Sequence, residues 1–92
     1  MELYQLKIFV TVAKTGAVTK ASEQLYLSQP AVSAQVKALE EELGLALFER
    51  TVRGMSLTPH GVVILSKAEQ LLAQQRDLLD EARRLRGGLT GR

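Results

Sequence analysis

Gln29, Ser33 and Lys37 carry the side chains best suited to binding chemistry, and they lie in one run, Ser28-Gln29-Pro30-Ala31-Val32-Ser33-Ala34-Gln35-Val36-Lys37. A primary amide such as Gln29 can bond an adenine edge or another groove acceptor. The Ser33 hydroxyl suits a base or a phosphate, and the Lys37 ammonium suits a phosphate. Pro30 and Ala31 offer apolar contact to a thymine methyl. Farther on, Arg50 and Arg53 flank a turn containing Gly54. An arginine at such a tip can contact phosphate or enter a narrow minor groove, where the negative potential is enhanced. The common chemistry is non-covalent recognition of a polyanion.

Catalytic chemistry has little to work with. His60 is the single histidine and there is no cysteine. That excludes the usual zinc ligand sets and any disulfide. Ser28, Ser33 and His60 lack an acid at any motif spacing, and no Walker-type glycine loop is present. The expectation is a chain that is not an enzyme, with no cofactor and no metal.

The elements that hold these residues follow from periodicity. Ser28 can cap a helix by accepting a first-turn amide, and Pro30 suits a first turn. Gly44 follows the last apolar residue, a usual stopping point. Val32, Val36, Leu39 and Leu43 form one apolar stripe. The opposite face carries Pro30, Ala34, Lys37 and Glu41, with Ser33 beside them. The acids Glu40, Glu41 and Glu42 are held back to the far end. Such a helix can press its N-terminal turns against DNA; an ordinary solvated face is the plainer reading. Val18, Ala21 and Leu25 mark a shorter helix before it, with Thr19 or Ala17 near its start. Tyr26-Leu27 then leads to Ser28. A short helix, a tight turn and a longer helix are the dimensions of a helix-turn-helix, about residues 18–37. Thr19, Lys20 and the amide end of the second helix are placed to hold a phosphate backbone. Leu3, Leu6, Phe9, Val10 and Ala13 give a first, scaffold helix ended by Gly16. Leu45, Leu47 and Phe48, then Met55 and Leu57, suggest a hairpin wing at about 46–57. Arg50 has an alternative there, pairing with Glu49 or with a glutamate of the third helix.

Thr58-Pro59 opens a long helix that runs to about Arg86, where Gly87-Gly88 stops it. At ~1.5 Å per residue it is roughly 40 Å long. Ile64, Ala68, Leu71, Gln75, Leu78, Ala82 and Leu85 repeat at alternating four and three, and Leu65, Leu72 and Leu79 widen the stripe. That pattern predicts a partner helix, most economically the same helix of a second copy. Gln75 could fix the register. The alternative is a helix folded back on its own domain.

The chain resembles the N-terminal DNA-binding domain of LysR-type bacterial transcriptional regulators. The likeness rests on Ala17-Val18-Thr19-Lys20-Ala21-Ser22-Glu23-Gln24-Leu25 with Leu27-Ser28-Gln29-Pro30-Ala31-Val32-Ser33. It extends to Lys37-Ala38-Leu39-Glu40-Glu41-Glu42-Leu43-Gly44, to Leu47-Phe48-Glu49-Arg50 and to Leu57-Thr58-Pro59-His60-Gly61. The resemblance implies base or backbone contact at Gln29, Pro30, Ala31, Ser33 and Arg53, with Ser28 opening the same surface. It implies a linker helix that pairs two such domains. Position 34 departs from the pattern: Ala34 stands where many relatives carry a long polar or basic reader. Readout there should weaken or pass to Gln35 or Lys37.

The fold expected is mainly α: a winged helix-turn-helix over 1–58, three helices plus a short two-stranded wing, followed by a long linker and dimerisation helix over 59–86. Residues 87–92 are expected to be a hinge stub toward an absent effector-binding domain, where any small-molecule inducer would act. The chain is then an excised fragment. The partners expected are double-stranded DNA with an interrupted inverted repeat and a second copy through the long helix, with no membrane. Ninety-two residues with charge +2 fit one small domain. Residues 1–60 hold six basic groups against six acids, so DNA affinity depends on where the charges sit. Residues 61–92 hold six against four. The longest apolar runs are too short to span a membrane, and Lys7 and Lys14 interrupt any signal-peptide core. A bacterial cytoplasmic location follows as the expectation. A helical protein-interaction module without DNA binding is the alternative, favoured slightly by the neutral head.

Overall fold

The structure, a computed structural model, describes the backbone of residues 1–90 and the side chains of residues 1–87. Four helices and a hairpin follow in the order α1 (Leu3–Thr15), α2 (Val18–Leu25), α3 (Gln29–Leu43), β1 (Phe48–Thr51), β2 (Gly54–Leu57) and α4 (Pro59–Thr90). The α4 helix projects from the globular head, giving extents of 58 × 25 × 20 Å.

The core is aliphatic around two contacting rings. Phe9 and Phe48 meet edge to face with centroids 5.4 Å apart. Leu6, Ile8, Val12, Ala21, Val32, Leu39 and Leu47 surround them, all buried. The α1 helix packs against α2, α3, β2 and α4. Burial on several sides explains why Ile8 and Val12, off the stripe expected for α1, are fully enclosed, whereas Leu3 at its start is exposed. Ala21 has no exposed surface, consistent with the close crossing of α2 and α3.

Local chemistry sets the element ends. Gly16 and Gly44 close α1 and α3 in the left-handed region, at φ 76° and 71°. Ser28 caps α3, its Oγ accepting the Ala31 amide at 3.2 Å. Tyr26 ends α2 in the same left-handed region at φ 58°, unusual for an aromatic residue. Thr58 opens α4: its Oγ1 accepts the Gly61 amide at 2.9 Å and donates to the Ala46 carbonyl at 2.6 Å.

One boundary differs from the sequence expectation. The α4 helix does not stop at Arg86 but continues through Gly87 and Gly88 to Thr90. Each glycine costs about 1 kcal/mol relative to alanine. A helix already long adds one hydrogen bond per further residue without a new nucleus, and neither glycine is followed by proline. Most of the expected hinge stub is therefore helical; residues 91–92 lie outside the described residues. Among the described residues, no helix is long and apolar enough to cross a membrane.

Candidate nucleic-acid interface

The α2–turn–α3 unit and the hairpin share one side of the head. The α3 stripe of Val32, Val36 and Leu39 is buried, which turns Gln29, Pro30, Ser33, Ala34 and Lys37 outward. All five are exposed, and Ala31 is half-buried. The first turn of α3 holds no acid. Thr19 and Lys20 are exposed on the first turn of α2, which also lacks an acid and has no side-chain cap. Its leading amides therefore remain available to an anion.

The wing closes the surface from the other side. Strand β1 pairs antiparallel with β2, Phe48 opposite Leu57 and Thr51 opposite Gly54, leaving Val52 and Arg53 at the tip. The Thr51 hydroxyl accepts the Arg53 amide at 3.2 Å and so fixes the tip backbone. The Met55 amide donates to the Gly16 carbonyl at 3.1 Å, joining β2 to the turn between α1 and α2. Gly54 is required there: a Cβ would lie 2.6 Å from the Gly16 oxygen, and its φ is 120°.

These contacts bring four of the expected residues to one depression. Thr19 from α2, Gln29 and Ser33 from α3, and Arg50 from β1 line a hollow of about 230 Å³ together with Gly54 and Met55. Lys20, Lys37 and Arg53 stand outside it. Among the described residues, the salt bridges join the Met1 amine to Glu42, Lys14 to Glu69, Arg83 to Asp80 and Arg84 to Glu81. None involves Lys20, Lys37, Arg50 or Arg53, so the pairing of Arg50 with a glutamate is not formed. The head is neutral overall, yet its cations on this side are unneutralised.

One expectation about α3 changes, and one of its acids gains a role. Gln35 is half-buried and accepts from the Gln5 side chain at 2.9 Å, so it faces α1 and cannot take over readout beside Ala34. Glu40 is not merely a solvated acid: its Oε2 accepts the amides of Leu47 at 2.7 Å and Phe48 at 3.2 Å. The sequence carries no local signal for either bond, since the partners lie on other elements.

A family model described as a bacterial regulatory helix-turn-helix protein of the lysR family matches residues 3–62. The chain belongs to the lysR family. The regulator TfdT of Cupriavidus pinatubonensis is 49% identical over 73 residues, covering 79% of this chain and 32% of TfdT. The chain thus spans about a third of that relative's length. Among solved structures, the BenM DNA-binding domain in complex with catB site 1 DNA superposes with a TM-score of 0.89 at 38% identity, covering 92% of this chain and 96% of that one. The CbnR DNA-binding domain in complex with DNA gives 0.87 at 39%, covering 92% and 98%. Both neighbours are DNA-binding domains, and the stretch matched by the family model is the regulatory helix-turn-helix domain of that family.

The expected pairing stripe on α4 divides in two. Ala68 is buried in the protomer's own core, and Ile64, Leu65 and Leu72 are partly buried against it. The folded-back alternative thus holds for the first turns of α4. By contrast Leu71, Leu78, Leu79 and Leu85 are 45%, 68%, 53% and 52% exposed, and Gln75 and Ala82 are exposed with them.

Proposed function

We propose that this lysR-family domain binds duplex DNA sequence-specifically as a homodimer, with α3 in the major groove and the wing on the minor groove or the backbone. The observation that carries the reading is the pair of exposed, acid-free first turns of α3 and α2, closed by a wing whose arginines have no acidic partner. Gln29 reads a base edge, with Pro30 and Ala31 against thymine methyls and Ser33 on a base or phosphate. Lys37, Thr19, Lys20 and Arg50 hold phosphates, and Arg53 reaches the minor groove or its rim. Ser28 keeps its capping bond and has its hydroxyl proton left to donate. Ala34 brings no long reader, which forgoes about 1–3 kcal/mol of discrimination at the base beneath it.

Pairing uses the exposed part of α4, with Leu71, Leu78, Leu79, Ala82 and Leu85 in the seam and Gln75 as its polar member. Ile64, Leu65, Ala68 and Leu72 support that helix from within the protomer. Two domains held this way read an interrupted inverted repeat. A longer protein would add effector sensing, and the setting is the bacterial cytoplasm.

Selection from a random duplex pool tests the reading. An enriched sequence supports it; failure to bind at any salt concentration favours a protein-interaction module on the same scaffold.

A further inference from the structure

Glu40 sits in the last turn of α3, where the helix dipole disfavours an acid. It stays there bonded to four backbone amides. Its carbonyl accepts the Gly44 amide at 2.8 Å and the Leu45 amide at 3.2 Å, which ends the helix. Its carboxylate, through Oε2 alone, accepts the Leu47 and Phe48 amides. The chain is thereby folded back from α3 into β1 around one side chain. The same Leu47 peptide is held from its other side: its carbonyl accepts the Thr58 amide at 3.0 Å. Leu47 has no exposed surface, so water cannot replace these bonds.

We infer that Glu40 is a positioning residue that sets the wing at a fixed distance and angle from α3, so that base reading by α3 and the Arg53 contact occur together. The inference rests on the proposed DNA reading, in which the wing touches DNA. Beside the packing of Phe48 on Phe9, the wing has two hydrogen-bonded tethers to the helices. Strand β2 hangs from Gly16 through Met55, and β1 hangs from α3 through Glu40. With the second tether gone, the hairpin can pivot about the first, and Arg53 at the tip moves farthest. Gln29 and Lys37 lie on α3 itself and do not move with the wing. Because a single carboxylate oxygen takes both amides, glutamine can supply the same acceptor; alanine cannot.

The test is a pair of double-mutant cycles on the 92-residue chain, read by DNA affinity. In the wild-type background Arg53→Ala weakens binding about tenfold. The same loss is expected with Glu40→Gln, whereas with Glu40→Ala it shrinks to about threefold or less. Gln29→Ala loses the same factor in every background. An undiminished Arg53→Ala loss in the Glu40→Ala background overturns the inference, as does an equal shrinkage for Gln29→Ala, which marks general loosening. Amide resonances in Glu40→Gln provide the second measurement, independent of DNA and of any folding defect in the alanine variant. Leu47 and Phe48 must shift as their acceptor loses charge while Val52 at the tip stays; unmoved resonances remove the clamp. If Arg53→Ala costs nothing in the wild type, the wing contact itself falls, and the resonances alone decide the clamp.

Discussion

Gly61 offers a perturbation whose sign is decided by geometry. It lies in the first turn of α4, where a glycine-to-alanine change ordinarily stabilises a helix by up to about 1 kcal/mol. Here a Cβ would sit 2.1 Å from the Leu47 carbonyl oxygen and 3.0 Å from Leu57 Cδ2. An ordinary carbon–oxygen contact is about 3.3 Å or longer, so α4 must withdraw by about 1 Å. That withdrawal pulls on the bond from the Thr58 amide to the same carbonyl. Overpacking of this kind costs about 1–3 kcal/mol. For a domain of this size each kcal/mol lowers Tm by roughly 4–8 °C. Thermal unfolding of Gly61→Ala and wild type, at matched concentration because self-association would raise Tm, reads the effect. Val63→Ala, at a position 60% exposed, is the control and should change stability by no more than about 0.5 kcal/mol. A Tm for Gly61→Ala equal to or above wild type would mean that the close seat of α4 on Leu47 is not there, and the reasoning fails.

Gln29→Ala should change the preferred DNA sequence, whereas Lys37→Ala should lower affinity evenly across sequences and reduce the salt slope by about 1; selected-site profiles and salt titrations separate the two. Leu78→Glu, at a site 68% exposed in the protomer, should weaken self-association by about tenfold or more with helix content unchanged, as read by sedimentation equilibrium and circular dichroism. A Leu78→Glu chain that self-associates like wild type would place the seam elsewhere. Phe9→Ala removes a fully buried ring packed on Phe48 and should cost about 3–5 kcal/mol in denaturant unfolding, enough to unfold much of a small domain.

Features set by neighbours in sequence were legible without coordinates. Ser28, Pro30, Gly16, Gly44 and Thr58-Pro59 act through bonds within one turn, so their residue types announce helix ends directly. The α3 stripe was legible for the same reason, because a period of 3.6 needs only one helix to express it. Long-range partners were not. Glu40 reads as one of three successive acids, and only the fold brings the Leu47 and Phe48 amides to it. Gln35 looked available until Gln5 of α1 was placed beside it. The apolar pattern of α4 divides in the fold: Ala68 packs in the domain's own core, while Leu78 and Leu85 face outward. One apolar stripe carries no mark of which neighbour covers it. Gly87-Gly88 failed as a stop because glycine weakens a helix without forbidding it.

Selection of binding sites by the 92-residue chain from a random duplex pool at physiological salt tests the central claim most directly. The expected result is enrichment of an interrupted inverted repeat whose half-sites lie on one face of the duplex, the footprint of two α3 helices related by a two-fold axis. A pool that binds at low salt but stays unenriched would mean backbone attraction alone and would contradict base reading by Gln29 and its neighbours.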